Sequence, residues 1–224
     1  MGVQLPRWVW IGAGALACVA GMVNAVGFLG FEHQAVTHLT GTTTLLGAAL
    51  AQDDQRAATS LAGVALAFLV GAASSGFIVQ DAALRLGRRY GVALALESGL
   101  LIASAYLFRR EAVSGAWFAA MACGLQNGMA TTFSGAVVRT THLSGMFTDL
   151  GIGLGHALRG LPLQRRRLAL CALIISTFLV GGVLGALAFA RVGTDALLIP
   201  ALLTGAVGIG YTIYRHRAMG AARA

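Results

Sequence analysis

Thr37-His38-Leu39-Thr40-Gly41-Thr42-Thr43-Thr44-Leu45-Leu46-Gly47 returns 104 residues later as Thr141-His142-Leu143-Ser144-Gly145-Met146-Phe147-Thr148-Asp149-Leu150-Gly151. Both strings are polar and glycine-bearing, and both lie in a chain that is otherwise oil. Of its 224 residues, 57% are hydrophobic and 11% charged, with a mean hydropathy of +0.77. Soluble domains carry about 25% charged residues, so this chain lacks the polar surface to clothe a globule in water.

Working outward from the strings, apolar runs cover residues 8–29, 61–80, 90–108, 115–134, 168–190 and 196–214. Most approach the roughly 20 residues with which a helix crosses about 30 Å of hydrocarbon. Backbone amides find no water there, so each run is predicted to be helical. Strand-like alternation is absent, which excludes a β-barrel. The expected fold class is all-α, a polytopic membrane helix bundle. Arg7 followed by an apolar stretch also fits a signal peptide. Five further runs and a share in the repeat favour a retained span.

The repeat extends beyond its core. Gly21-Met22-Val23-Asn24 parallels Gly124-Leu125-Gln126-Asn127 at a spacing of 103, and Phe68-Leu69-Val70-Gly71 returns as Phe178-Leu179-Val180-Gly181 at 110. Three blocks in one order indicate two homologous halves, 1–110 and 111–224, forming one compact membrane domain. Each half holds three long spans and one short polar helix, 37–51 in the first and 141–158 in the second. Fifteen residues make about 22 Å of helix, too short to cross comfortably. Read as re-entrant, the short segments leave three spans per half, and an odd number inverts the second half. Six spans plus two partial helices is the expectation, with eight spans as the alternative. Thr37 and Thr141 are the expected N-caps of the short helices.

All 16 basic residues are Arg, and they cluster between spans at Arg85/Arg88/Arg89, Arg159/Arg165/Arg166/Arg167 and Arg215/Arg217/Arg223. The net charge of +8 therefore orients the protein in a membrane and does not point to nucleic acid. With both termini inside, only Arg56, Arg109, Arg110 and Arg191 fall outside, which predicts a multi-pass protein of the inner (cytoplasmic) membrane with cytoplasmic termini. Cys18, Cys123 and Cys171 sit within apolar runs and read as packing residues, not as a disulfide framework or zinc site.

Polar residues inside oil are the candidate site. Glu97 lies mid-run in Ala93-Leu94-Ala95-Leu96-Glu97-Ser98-Gly99. A charge there costs on the order of 2.5–3.5 kcal/mol on insertion scales, so it is expected to face the bundle interior or water. It is either a proton or cation site or a hydrogen-bonded structural acid. Asp149 stands where the first copy has Leu45, and reads as a functional asymmetry, a cap or an ion pair with Arg. Asn24, Gln126 and Asn127 either contact a solute or tie helices together. His38 and His142, at matched positions, are candidates for a proton relay or ligand contact. Thr40, Thr44, Ser144 and Thr148 share neighbouring faces by i, i+4 spacing, beside Gly41 and Gly145; they line a solute path or satisfy backbone groups. No metal-ligand spacing, nucleophile–base pair, Walker loop or cofactor string appears, so neither an enzyme, a metal nor a cofactor is expected.

The arrangement resembles the YoaK-like family of bacterial membrane proteins of unknown function, the DUF1275 or UPF0700 group. The residues carrying the resemblance are Gly21-x-x-Asn24-Ala25 leading into Thr40-Gly41-Thr42, Glu97, Gly124-Leu125-Gln126-Asn127-Gly128, and Thr141 to Gly151. It spans essentially the whole chain and implies a multi-span inner-membrane protein without an assigned substrate. Members commonly show Asp where this chain has Asn24, and Thr-Gly-Asn where it has Thr40-Gly41-Thr42. Ser144-Gly145-Met146 likewise replaces an expected Thr-Gly-Thr. If the missing Asp binds a coupling ion elsewhere in the family, coupling here differs or is absent.

The functional expectation is a secondary transporter or facilitator of a small polar or anionic solute, proton-coupled through Glu97, with the short-helix N-termini at the site. Its partners are the bilayer and a small molecule or ion, and a homo-oligomer is compatible. The alternative is a non-transporting membrane scaffold or assembly partner.

Overall fold

A computed structural model describes residues 6–30, 36–79, 89–134 and 138–221. Arg85, Arg88 and Arg223 of the basic clusters lie outside the described residues, as does Gln80 at the end of one predicted run. The elements are α1 (Arg7–Gly30), α2 (Leu39–Ala51), α3 (Gln55–Ile78), α4 (Arg89–Arg109), α5 (Ser114–Phe133), α6 (Leu143–Leu158), α7 (Arg165–Val192), a 3-10 turn (Gly193–Leu197) and α8 (Leu198–Ala221). No strand occurs among the described residues.

Four stretches are long and apolar enough to cross a membrane: Arg7–Gly30, Gln55–Ile78, Arg89–Arg109 and Arg165–Tyr214, the last containing both α7 and most of α8. These apolar helices are compatible with a multi-pass integral membrane protein. α5 is not among them, because Gln126, Asn127, Thr131 and Thr132 dilute its apolar character. Helix α3 begins six residues before its apolar run, since Asp54 accepts a hydrogen bond from the Ala57 amide at 3.0 Å and so caps it. α2 has 13 residues and α6 has 16, about 20 and 24 Å of helix.

The expected N-caps are corrected. His38 and His142 hold those positions, and neither makes a side-chain cap bond. Thr37 is drawn away to α1, where its amide and hydroxyl both donate to the Asn24 Oδ1, at 3.3 and 2.7 Å.

Glycines set the helix pairing. A Cβ on Gly21 of α1 would collide with the Phe178 carbonyl of α7, and one on Gly181 would collide with the Cys18 carbonyl. In the second pair, a Cβ on Gly124 of α5 would collide with the Phe68 carbonyl of α3, and one on Gly71 with the Met121 carbonyl. Only glycine lets backbones meet this closely, which substitutes for a hydrophobic force that lipid removes. Along each pair the residue numbers climb together, Gly14 beside Leu173 up to Gly30 beside Phe189, and Gly63 beside Trp117 up to Gly128 beside Ser75. Helices α1 and α7 are therefore parallel, as are α3 and α5. Helix α4 runs against α5, with the Ser104 hydroxyl donating to the Gly115 carbonyl at 2.7 Å. It also runs against α8, with Gly91 beside Gly208 and Ser98 beside Gly205.

One end of the bundle gathers the C-termini of α1, α4 and α7 at the 3-10 turn. Gly30 lies against Thr194 there, and Arg109 pairs with Asp195, Nη2 to Oδ2 at 2.7 Å. The N-termini of α3 and α5 share this end, where the Trp117 indole N–H donates to the Ser60 carbonyl at 3.2 Å.

Candidate functional site

Helix α4 turns one stripe inward: Tyr90, Ala93, Glu97, Leu101, Ser104 and Phe108 are all buried. Steps of three and four residues keep these on one helix face, and Glu97 is central to it. Glu97 is 1% exposed, and its Oε2 has no hydrogen-bond partner. Cys123 lies on the α5 side of the α4–α5 seam in the same neighbourhood. Among the described side chains Glu97 is the one acidic or basic group that is fully buried.

Helix α5 carries two more acceptors about one turn past Cys123. The Gln126 amide nitrogen donates to the Leu16 carbonyl of α1 at 2.7 Å, which leaves its buried Oε1 without a partner. Asn127 stands one turn beyond Cys123 on the same face, and its Oδ1 is likewise unpartnered. Nearby, Ser75 of α3 packs where a Gly128 Cβ would be, fully buried, and its Oγ also lacks a partner. Each such group costs roughly 1–3 kcal/mol relative to a satisfied one. Glu97 thus stands on α4, Gln126 and Asn127 on α5 and Ser75 on α3, each with an unpaired buried oxygen.

The two halves differ at one matched pair. Asn24 and Thr37, thirteen residues apart, are bonded. In the second copy, where Thr141 is the counterpart of Thr37, Asn127 Oδ1 is unpartnered, and so is the buried hydroxyl of the neighbouring Thr140.

The short helices place the remaining candidates elsewhere. Thr40, Gly41 and Thr44 on α2 are exposed, as are His142, Ser144 and Thr148 around the start of α6. The Thr44 and Thr148 hydroxyls donate to the carbonyls of Thr40 and Ser144, at 2.9 and 3.0 Å, which satisfies backbone groups. The His142 ring lies over Gly145. His38 is half-buried with its ring edge-on to Phe178, 6.3 Å between centroids, and burial lowers its pKa. Asp149 forms a two-pronged ion pair with Arg167, at 2.9 and 3.1 Å. Among the described residues, no group of His, Cys, Asp and Glu is arranged to hold a metal ion.

Comparison with protein families decides the kinship. The model described as "Protein of unknown function (DUF1275)" matches residues 12–210. The chain belongs to the DUF1275 family. Comparison with curated proteins and with solved structures gave no match. The region shared with the DUF1275 family contains every candidate from Asn24 to Asp149.

Sequence reasoning did not single out Ser75 or Thr140 in this DUF1275 protein, and it read Thr37 only as an N-cap. Ser75 was hidden in a small-residue run that reads as packing, and Thr140 precedes the repeated string by one residue. It also missed a cavity of about 470 Å³ at the N-terminal end of α3, lined by Asp54, Arg56, Thr59, Ser60, Val113 and Trp117.

Proposed function

We propose that this DUF1275 protein is a secondary transporter or facilitator of a small polar solute, with its site on the α4–α5 seam at Glu97, Gln126 and Asn127. The observation carrying this reading is that three acceptor oxygens are buried there without partners. A scaffold has no use for unpaired acceptors in a packed core, whereas a binding site leaves them for its guest.

Two inverted halves are the architecture such a carrier uses, and the helix directions support it. Helix α1 ends, and α3 begins, at the end where the 3-10 turn lies. Between them α2 starts beside Asn24 and Phe178, near mid-helix depth, and leads back to that same end. Helix α6 mirrors this at the opposite end, with Asp149 beside Arg167 and Gly153 beside Leu168 at the start of α7. Both short helices then dip in and return, leaving six crossings and inverting α5 relative to α1. The glycine contacts of α1 with α7 recur in α5 with α3 at the repeat spacings, as two related halves require. Arg7, Arg89, Arg159 and Arg165 to Arg167 belong to the end opposite Arg56, Arg109, Arg110 and Arg191, which favours a cytoplasmic location for the former end and for both termini.

Asn24 is bonded to Thr37 in one half while Asn127, its counterpart, is unpartnered in the other, the asymmetry expected of a carrier resting in one access state. Trp117, which lines the cavity at the N-terminal end of α3, lies six residues, roughly 9 Å along α5, from Cys123. The alternative, a membrane scaffold, draws on Gly151 and Gly155, four residues apart on α6 with open space beside both.

Purified protein in proteoliposomes should exchange at least one of a panel of radiolabelled small solutes: methylammonium, urea, acetate and chloride. Glu97→Gln should lower that exchange at least tenfold. A folded, correctly inserted protein that exchanges none of them would refute the carrier reading.

A further inference from the structure

The chemistry of the unpaired groups restricts what they hold. Gln126 has spent its amide donor on the Leu16 carbonyl, so only its acceptor remains. Glu97 Oε2 and Asn127 Oδ1 are acceptors too, and the Ser75 and Thr140 hydroxyls accept as readily as they donate. No Arg or His side chain is among the fully buried groups of the described residues, and the chain contains no Lys. An anion at this level would meet the Glu97 carboxylate with no opposing charge beside it. The start of α2 lies against Asn24 of α1 and Phe178 of α7, not against α4.

We infer that the α4–α5 seam binds a monovalent cation, held by the Glu97 carboxylate and the amide oxygens of Gln126 and Asn127. This deepens the carrier reading and rests on the same site. One buried carboxylate balances one positive charge, and removing an ion pair from water demands that balance. Neutral amide oxygens replace the shell of an alkali ion or accept from a protonated amine. Both ligands offer the same chemistry, a single positive charge surrounded by acceptors. The Glu97 side chain reaches from α4, while Gln126 and Asn127 reach from α5, so the cation bridges the first half of the chain to the second.

The test is thermal unfolding of full-length protein in detergent, with methylammonium, sodium or potassium chloride titrated against N-methylglucamine chloride at equal ionic strength. A saturable upward shift of about 5–10 °C is expected at a hundredfold excess over Kd. Glu97→Gln and Asn127→Ala should each weaken the apparent affinity at least tenfold, the second serving if the first does not fold. A shift with methylammonium alone assigns a protonated amine, and one with sodium or potassium assigns an alkali ion. A shift that survives both substitutions, or no cation-specific shift, overturns the inference. Exchange of acetate or chloride without any cation effect would overturn it and leave the carrier standing. A Glu97-dependent cation shift in a protein that exchanges nothing would uphold it and remove the carrier.

Discussion

Replacing Glu97 with Met should make this protein more stable. The carboxyl is 1% exposed, and its Oε2 has no partner, so the wild type carries a desolvation cost of about 1–3 kcal/mol for that oxygen alone. Insertion scales set a consistent ceiling of roughly 3.5 kcal/mol for a charge at mid-membrane. Met is unbranched and of similar length, so it fills the slot between α4 and Cys123 without leaving a void. Replacing buried ionic groups with apolar residues of like volume is commonly neutral or stabilising. A gain of about 1–3 kcal/mol raises the Tm of a chain this size by roughly 2–12 °C. Unfolding followed by tryptophan fluorescence in detergent, in N-methylglucamine chloride so that no bound cation stabilises the wild type, reads this directly, since Trp117 lies in the same bundle. Leu96→Met, on the exposed face one residue away, should change the stability by less than about 0.5 kcal/mol and serves as control. A lower Tm for Glu97→Met would show that the carboxyl is structurally satisfied, and the argument for a site on the seam would fall.

Gly21→Ala and Gly124→Ala should each destabilise by about 1–3 kcal/mol or more, because the added methyl meets backbone, which cannot yield as a side chain does. Gly99→Ala, with open space around it, should be neutral or stabilise by up to about 1 kcal/mol through helix propensity; equal losses at all three positions, measured by thermal unfolding, would contradict the crossing geometry. Cysteines at Asn24 and Thr37 should crosslink readily in a background lacking the native thiols, while the Asn127 and Thr140 pair should crosslink only partially. Locking one pair should suppress the other, and simultaneous full crosslinking of both in one molecule would rule out exchange between access states.

Much of this molecule could be read from its residues. A glutamate in the middle of Ala93 to Gly99 and an amide pair within a run such as α5 stand out against oil, because burying them costs energy that random drift does not tolerate. Helix positions followed from run length. What could not be read was which way each helix faces. Thr40, Thr44, Ser144 and Thr148 share a spacing that fits a solute path, yet Thr44 and Thr148 bond back to their own helices and all four face outward. Asp149 looked like a break in symmetry, and its partner Arg167, eighteen residues on, was only one of several available arginines.

The amino-acid sequence alone determined that the chain is helical, that its long helices suit lipid, and that few polar groups lie among them. Tertiary structure decided which of those groups meet. In water a helix must turn its apolar stripe inward, so pattern predicts facing. In a bilayer both faces are apolar, and rotation about the axis is set by backbone contacts at Gly21, Gly71, Gly124 and Gly181. Those contacts, formed between residues fifty or more positions apart, bring α5 against α3 in register, with Cys123 on the α4–α5 seam and Asn127 one turn beyond.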